Sequence, residues 1–297
     1  MAVIAKPNTA TLSAPRVRNP KTGEIIRKIV VYGLLLLLSA IFLFPLFWMV
    51  TTALKQESQI FKWPPQWIPS PVMWSNFRDA FSNPNLPFSI FIGNTLVVEL
   101  GVVTGRLISC TLVAYGFARL RAPGKNFLFT ILLATLMLPR AAILIPEYIL
   151  FNKIGWVNTF LPLIVPAWFG EAYAIFLMRQ FFMTIPRELE EAALIDGATT
   201  VQIIWKVIVP LSTPVLAVIA ILTFKDTWND FLTPLLYLNT ASKYTVSVGL
   251  AYFNGQNNVQ MSLLMAASLT MMMPIVILFA FAQRAFVEGI SLTGLKG

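Results

Sequence analysis

Hydrophobic positions along this 297-residue chain neither alternate nor form narrow stripes. They gather into six long blocks, at 29–50, 89–114, 127–146, 160–182, 207–231 and 261–283. At 1.5 Å per residue each block can cross a hydrocarbon core of about 30 Å as a helix. Lipid offers no partner to an unpaired peptide group, so the blocks predict an all-α membrane fold of six transmembrane helices. The fifth block is the least regular: Pro210 and Pro214 interrupt its start, and Lys225, Asp226, Asn229 and Asp230 crowd its far end. The first block is too long for the apolar core of a secretory signal, and no A-x-A cleavage pattern follows it, so it reads as a retained helix. Residues 1–28, rich in Pro, Thr, Lys and Arg, read as a flexible tail ahead of a transmembrane domain at 29–297.

Composition agrees with the pattern. Apolar residues make up 57% of the chain and charged residues 12%, and the mean hydropathy is +0.73. A soluble domain of this length needs more charge to cover its surface. There is no histidine and one cysteine, Cys110, which excludes an internal disulfide, zinc sites of the His/Cys type and hydrolase chemistry with a His base. The net charge of +9 is spread along the chain rather than gathered around aromatics, so nucleic acid is not expected as a partner. The lipid bilayer is. Lys and Arg are denser in the tail, in 119–125, in 179–206 and after 283 than in the alternate loops, which predicts a multi-pass protein of the cell membrane with both termini cytoplasmic. The external segment 61–71, FKWPPQWIPSP, reads as a proline-stiffened loop with interfacial tryptophans Trp63 and Trp67.

The most informative stretch is the loop between the fourth and fifth blocks, IPRELEEAALIDGATTVQIIWKVIVPLSTP at 185–214. Pro186 suits a first helical turn, and Glu188, Glu190 and Glu191 favour the positive end of that helix. Leu189, Ala192, Ala193 and Asp196 then follow at helical spacing along one face. Gly197 is placed to end the helix in the left-handed conformation, and Thr199 with Gln202 predicts a capping box opening a second helix that Pro210 disrupts. A short helix, a tight glycine turn and another helix would stand out of the membrane. Its small alanines and glycine would let another surface approach closely. Within the spans, Glu99 and Arg106 are seven residues apart on one helical face, where a structural partner on a neighbouring helix is expected. Asn94 and Asn229 are candidates for the translocation path, against the plainer role of helix–helix hydrogen bonds.

The loop resembles the EAA loop of ABC importer permeases, with Glu191-Ala192-Ala193, then Gly197, then Val207-Ile208-Val209-Pro210 where the family has I-x-L-P. The longer form EEAALIDGAT at 190–199 is similar to the carbohydrate-importer branch. So are Asn94-Thr95-Leu96, AYGFARL at 114–120, Trp228-Asn229-Asp230-Phe231 and the ending FVEGISLTGLKG at 286–297. The likeness spans roughly 31–297 and is greatest to the six-helix second permease of maltose-type systems. It implies a type I importer permease with a cytoplasmic coupling helix in which Glu190, Glu191, Ala192, Ala193, Asp196 and Gly197 meet an ATPase. It also implies a second permease subunit in a heterodimer, two cytoplasmic ATPase subunits and an extracytoplasmic solute-binding protein, with this chain forming half of a path for a sugar or oligosaccharide.

No cofactor is expected on this chain. Gly124-Lys125 has Arg119 where a Walker A sequence needs its first glycine and Asn126 where it needs Ser or Thr, so ATP and magnesium are expected on the partner ATPase. An ion-gradient-driven secondary transporter is the alternative, but it calls for an internal repeat that the two halves lack. An enzyme is not expected. In the loop before the sixth block, Tyr252, Phe253, Asn254, Gly255 and Gln256 combine aromatics, amides and a turn-forming glycine. The resemblance implies that this tip reaches the binding protein and assists release of the sugar.

Overall fold

The computed structural model describes residues 20–82, 88–254 and 260–294, with side chains described over 23–82, 88–252 and 260–281. No strand occurs among the described residues. In order, the helices are α1 (Pro20–Ala53), α2 (Glu57–Ile60), α3 (Ser75–Ser82), α4 (Phe88–Arg119), α5 (Lys125–Thr135), α6 (Arg140–Lys153) and α7 (Leu161–Ile164). They continue as α8 (Ala172–Phe182), α9 (Glu188–Ile195), α10 (Thr200–Ile203), α11 (Val209–Leu211), α12 (Thr213–Trp228), α13 (Leu232–Tyr237), α14 (Val246–Asn254) and α15 (Met261–Gly294). Short 3₁₀ turns cover Val165–Phe169 and Ala241–Lys243, and a π-helical turn covers Ile204–Ile208. The chain divides into two units, Met1–Met49 and Val50–Gly297.

In the first unit α1 begins at Pro20, nine residues before the apolar block, so part of the expected flexible tail is helical; residues 1–19 lie outside the described part. From Ile25 to Leu43 its large apolar side chains are exposed on every side, as suits a helix solvated by lipid rather than water.

In the second unit α4 is the central element. Its residues Phe88, Phe91, Thr95, Val98, Val102, Gly105 and Ser109 are buried at alternating steps of three and four, the seam spacing of closely packed helices. Two glycines admit the neighbours: a Cβ at Gly101 would lie 2.7 Å from Ile164, and one at Gly105 would overlap the ring of Trp168. Small residues of this kind let helices approach in a membrane, where packing rather than the hydrophobic effect holds them together. Gly249 on α14 receives Phe91 in the same way. Thr95 fixes that contact by accepting the backbone N–H of Val246 at 2.9 Å while donating to its own Phe91 carbonyl.

Among the described residues, four helical stretches are long and apolar enough to span a membrane, and two bent pairs bring the number to six when each pair is taken as one crossing. Two of the crossings are bent. At the third block α5 and α6 meet at 97°, because Pro139 disfavours helix at Leu138 and caps the start of α6. At the fifth block the stretch 200–211 meets α12 at 81°. Here Pro210 is not the breaking point. The π turn before it bonds Val209 N–H to Ile204 O, five residues back, and widens the helix so that the proline ring fits. The break falls at Ser212, followed by Pro214 in the first turn of α12. The fourth block is interrupted by the 3₁₀ turn and by Gly170, whose φ of 89° favours glycine.

Candidate functional site

The segment 185–214 folds as its local signals require. Gly197 adopts φ 79°, with Gly197 N–H bonded to Leu194 O at 3.0 Å and Ala198 N–H to Ala193 O at 2.9 Å, the paired bonds of a Schellman cap. Thr199 and Gln202 form the expected capping box, with Thr199 N–H to Gln202 Oε1 at 2.8 Å and Gln202 N–H to Thr199 Oγ1 at 3.3 Å. Pro186 lies just ahead of α9 rather than in its first turn, since Arg187 is the cap position.

Tertiary packing then divides a segment that looked uniform. The neighbours Glu190 and Glu191 have opposite fates. Glu190 turns inward, its carboxylate 2.7 Å from Arg119 Nε, with the two side chains only 12% and 5% exposed. Tyr115 donates its hydroxyl to Glu190 at 3.1 Å, and Arg119 donates onward to the carbonyls of Phe182 and Ile185. Ala193 packs against the core formed by Ala114, Tyr115, Met178, Phe182, Ile203 and Ile208. Glu191, Ala192, Asp196 and Gly197 are exposed, so the one-face reading of Ala192 with Ala193 does not hold. Beside them stand Leu189, Leu194, Val201 and Ile195, the last 87% exposed.

A protruding loop that shows water this much apolar surface has the character of a docking site. The sequence reading assigned no role to Leu194 or Ile195, nor to Arg119 and Tyr115. The last two sit four apart on one face of α4, but the carboxylate they meet is 75 positions from Tyr115, so no local signal marked them.

The candidate path residues are committed elsewhere. Asn94 donates its amide to the carbonyls of Ser242 and Tyr244, at 2.9 and 3.0 Å, and so holds the segment before α14. Asn229 caps α12 and donates to Lys225 O at 2.7 Å. Tyr252 is exposed on α14 with its ring centroid 6.0 Å from that of Tyr244. Phe253 and Asn254 continue α14, their side chains outside the described residues, as are Gly255 and Gln256 altogether.

A different set of residues lines a cavity of about 650 Å³ beside α4. Thr95, Val98, Val102 and Arg106 face it from α4, Arg140 and Leu144 from α6, Gly170 and Glu171 from the break before α8, and Asp226, Thr227, Asp230 and Thr233 from the end of α12 and beyond. Arg106 donates to Thr223 Oγ1 on α12 at 3.3 Å, the expected neighbouring-helix partner. Glu99 is buried with both carboxylate oxygens unbonded among the described residues, so its expected partner is not found there.

Comparison with known proteins agrees with this picture. The family described as binding-protein-dependent transport system inner membrane component matches residues 108–292. The arabinooligosaccharides transport system permease protein AraQ of Halalkalibacterium halodurans is 36% identical over 229 residues, covering 77% of this chain and 81% of that one. The sn-glycerol-3-phosphate transport system permease protein UgpE of Yersinia pestis is 33% identical over 254 residues, covering 84% and 90%. A chain from the crystal structure of a bacterial ABC transporter involved in the import of the acidic polysaccharide alginate shares the fold with a TM-score of 0.80 at 22% identity, over 91% of this chain and 99% of that one.

Proposed function

We propose, from the premise that this chain belongs to the binding-protein-dependent transport system inner membrane component family, that it forms half of the path through which an ATP-driven importer moves a sugar or oligosaccharide. As a family member it is a multi-pass permease subunit that works in a complex with an ATPase and a binding protein. The finer assignments are ours. The exposed surface of α9, Gly197 and α10 is the coupling surface. Glu191, Ala192, Asp196 and Gly197 approach the ATPase directly, and Glu190 and Ala193 hold the helix from behind. ATP and magnesium reside on that ATPase, present in two copies, and a second permease subunit completes a heterodimer. Both termini lie on the ATPase side, and the tip Tyr252–Gln256 faces the binding protein.

The observation that carries the reading is the buried Arg119–Glu190 pair beneath an exposed apolar helix. An ion pair desolvated in this way is retained for the geometry it imposes more than for the stability it adds. Here it fixes α9 to the end of α4, so that a push on the loop reaches a membrane-spanning helix. ATP-driven closure of the ATPase pair would then move α9 and shift the helices between inward-facing and outward-facing arrangements. The relative named for arabinooligosaccharide transport supports the substrate class. The test is purification of the tagged chain from its native membrane. An ATPase and a second permease are expected to co-purify, and the reconstituted complex to take up sugar only with ATP inside and a liganded binding protein outside. Uptake driven by an ion gradient without ATP would refute the reading.

A further inference from the structure

Most charged groups around the cavity beside α4 are already engaged. Glu171 accepts the N–H groups of Tyr173 and Ala174 at 3.0 and 2.8 Å, and Asp230 accepts that of Thr233 at 3.1 Å. Asp226 lies 3.5 Å from Lys225, and Arg140 lies 3.4 Å from Glu147. Two groups on α4 are not settled in this way. Glu99 is 2% exposed, with neither carboxylate oxygen bonded among the described residues. Arg106 makes one hydrogen bond there, to Thr223 Oγ1 at 3.3 Å, and its buried Nε has no partner. A carboxylate taken out of water without a partner is costly. This chain alone buries Glu99, so in this arrangement neither lipid nor another subunit reaches it.

Glu99 and Arg106 lie seven residues apart on one face of α4, about 10 Å along its axis. Helical side chains lean toward the N-terminus, so Glu99 stands on the side to which an arginine at 106 reaches. Arg106 also faces the 650 Å³ cavity, which gives its guanidinium room to swing. What holds it is a hydroxyl on α12, the helix that continues the coupling segment past the bend at Ser212. Resting on the importer reading above, we infer that Arg106 is a two-position switch between α4 and α12. It holds Thr223 in the arrangement described, and it pairs with Glu99 in the other arrangement of the transport cycle. In the first, α4 and α12 are joined and the carboxylate is left unpaired. In the second, α12 is released and the buried charge is neutralised. Each arrangement gives up what the other gains, which keeps the two close enough in free energy for the ATPase to drive the exchange.

The switch makes opposite predictions for two conservative changes on neighbouring helices. The full complex is reconstituted with its ATPase and liganded binding protein, and the fraction trapped at half-saturating vanadate is measured. Glu99→Gln removes the second position of the switch and Thr223→Val the first. The two are therefore expected to move the trapped fraction in opposite directions, leaving them about threefold or more apart. In an Arg106→Gln background neither should change it, because both act through that guanidinium. Damage to packing would instead lower trapping in both alike and would persist without Arg106. Glu99→Met and Thr223→Ala carry the same predictions should a first variant fail to assemble. Shifts in one direction, no shift, or shifts that survive Arg106→Gln would overturn the switch and leave the importer reading standing. A wild-type complex that binds no ATPase or traps no vanadate would sink that reading, and the switch with it.

Discussion

Replacing Glu190 by alanine is expected to leave the Arg119 guanidinium buried with no counter-charge. Arg119 is 5% exposed and keeps its bonds to the carbonyls of Phe182 and Ile185, so it stays in place rather than swinging to water. Breaking a buried pair from one side costs about 3–5 kcal/mol, most of it the stranded charge. Glu190→Gln keeps an acceptor for the Tyr115 hydroxyl and is expected to cost less, about 1–3 kcal/mol. Removing both charges, as Glu190→Ala with Arg119→Met, should recover much of the loss, because nothing charged remains buried. The assay is a double-mutant cycle on the purified complex, read by denaturant titration in bicelles and by the ATPase rate with and without liganded binding protein. A coupling energy above about 1.5 kcal/mol is expected, together with reduced stimulation of the ATPase in both Glu190 variants. A coupling below about 0.5 kcal/mol would show that the residues act independently and would remove the mechanical link drawn between α9 and α4.

Gly197→Asp is expected to insert normally yet lose stimulated ATPase activity. Open space surrounds the position, so the left-handed backbone and a new charge on the docking face, not crowding, produce the effect; normal stimulation would reassign the loop. In a Cys110→Ser background, Asp196→Cys should react with an impermeant thiol reagent only from the ATPase side and Lys62→Cys only from the other, whereas the reverse labelling would invert the topology. Gly105→Ala should drive its methyl into Trp168 and lower the stability of the purified complex by about 1–3 kcal/mol, seen as a lower Tm in detergent; an unchanged Tm would mean that the α4 seam is loose there.

Much of this protein is written in local signals. Apolar runs of membrane length can be satisfied only by helices, so six crossings were legible before any contact was known. The turn at Gly197 and the Thr199–Gln202 box were legible for the same reason, since each depends on residues within five positions of one another. What could not be read is whatever depends on distant partners. Glu190 and Glu191 are chemically equivalent in the sequence, and only Arg119 and Tyr115, the latter 75 positions away, make one an anchor and leave the other exposed. Asn94 resembled a path residue until its amide was found on carbonyls 148 and 150 positions along the chain. The cavity beside α4 was invisible, because its charged lining comes from segments far apart in the chain. A hydropathy pattern records which segments enter the membrane. Where each one bends, and which side chains then share a space, follow from packing between segments, and only the tertiary structure contains that.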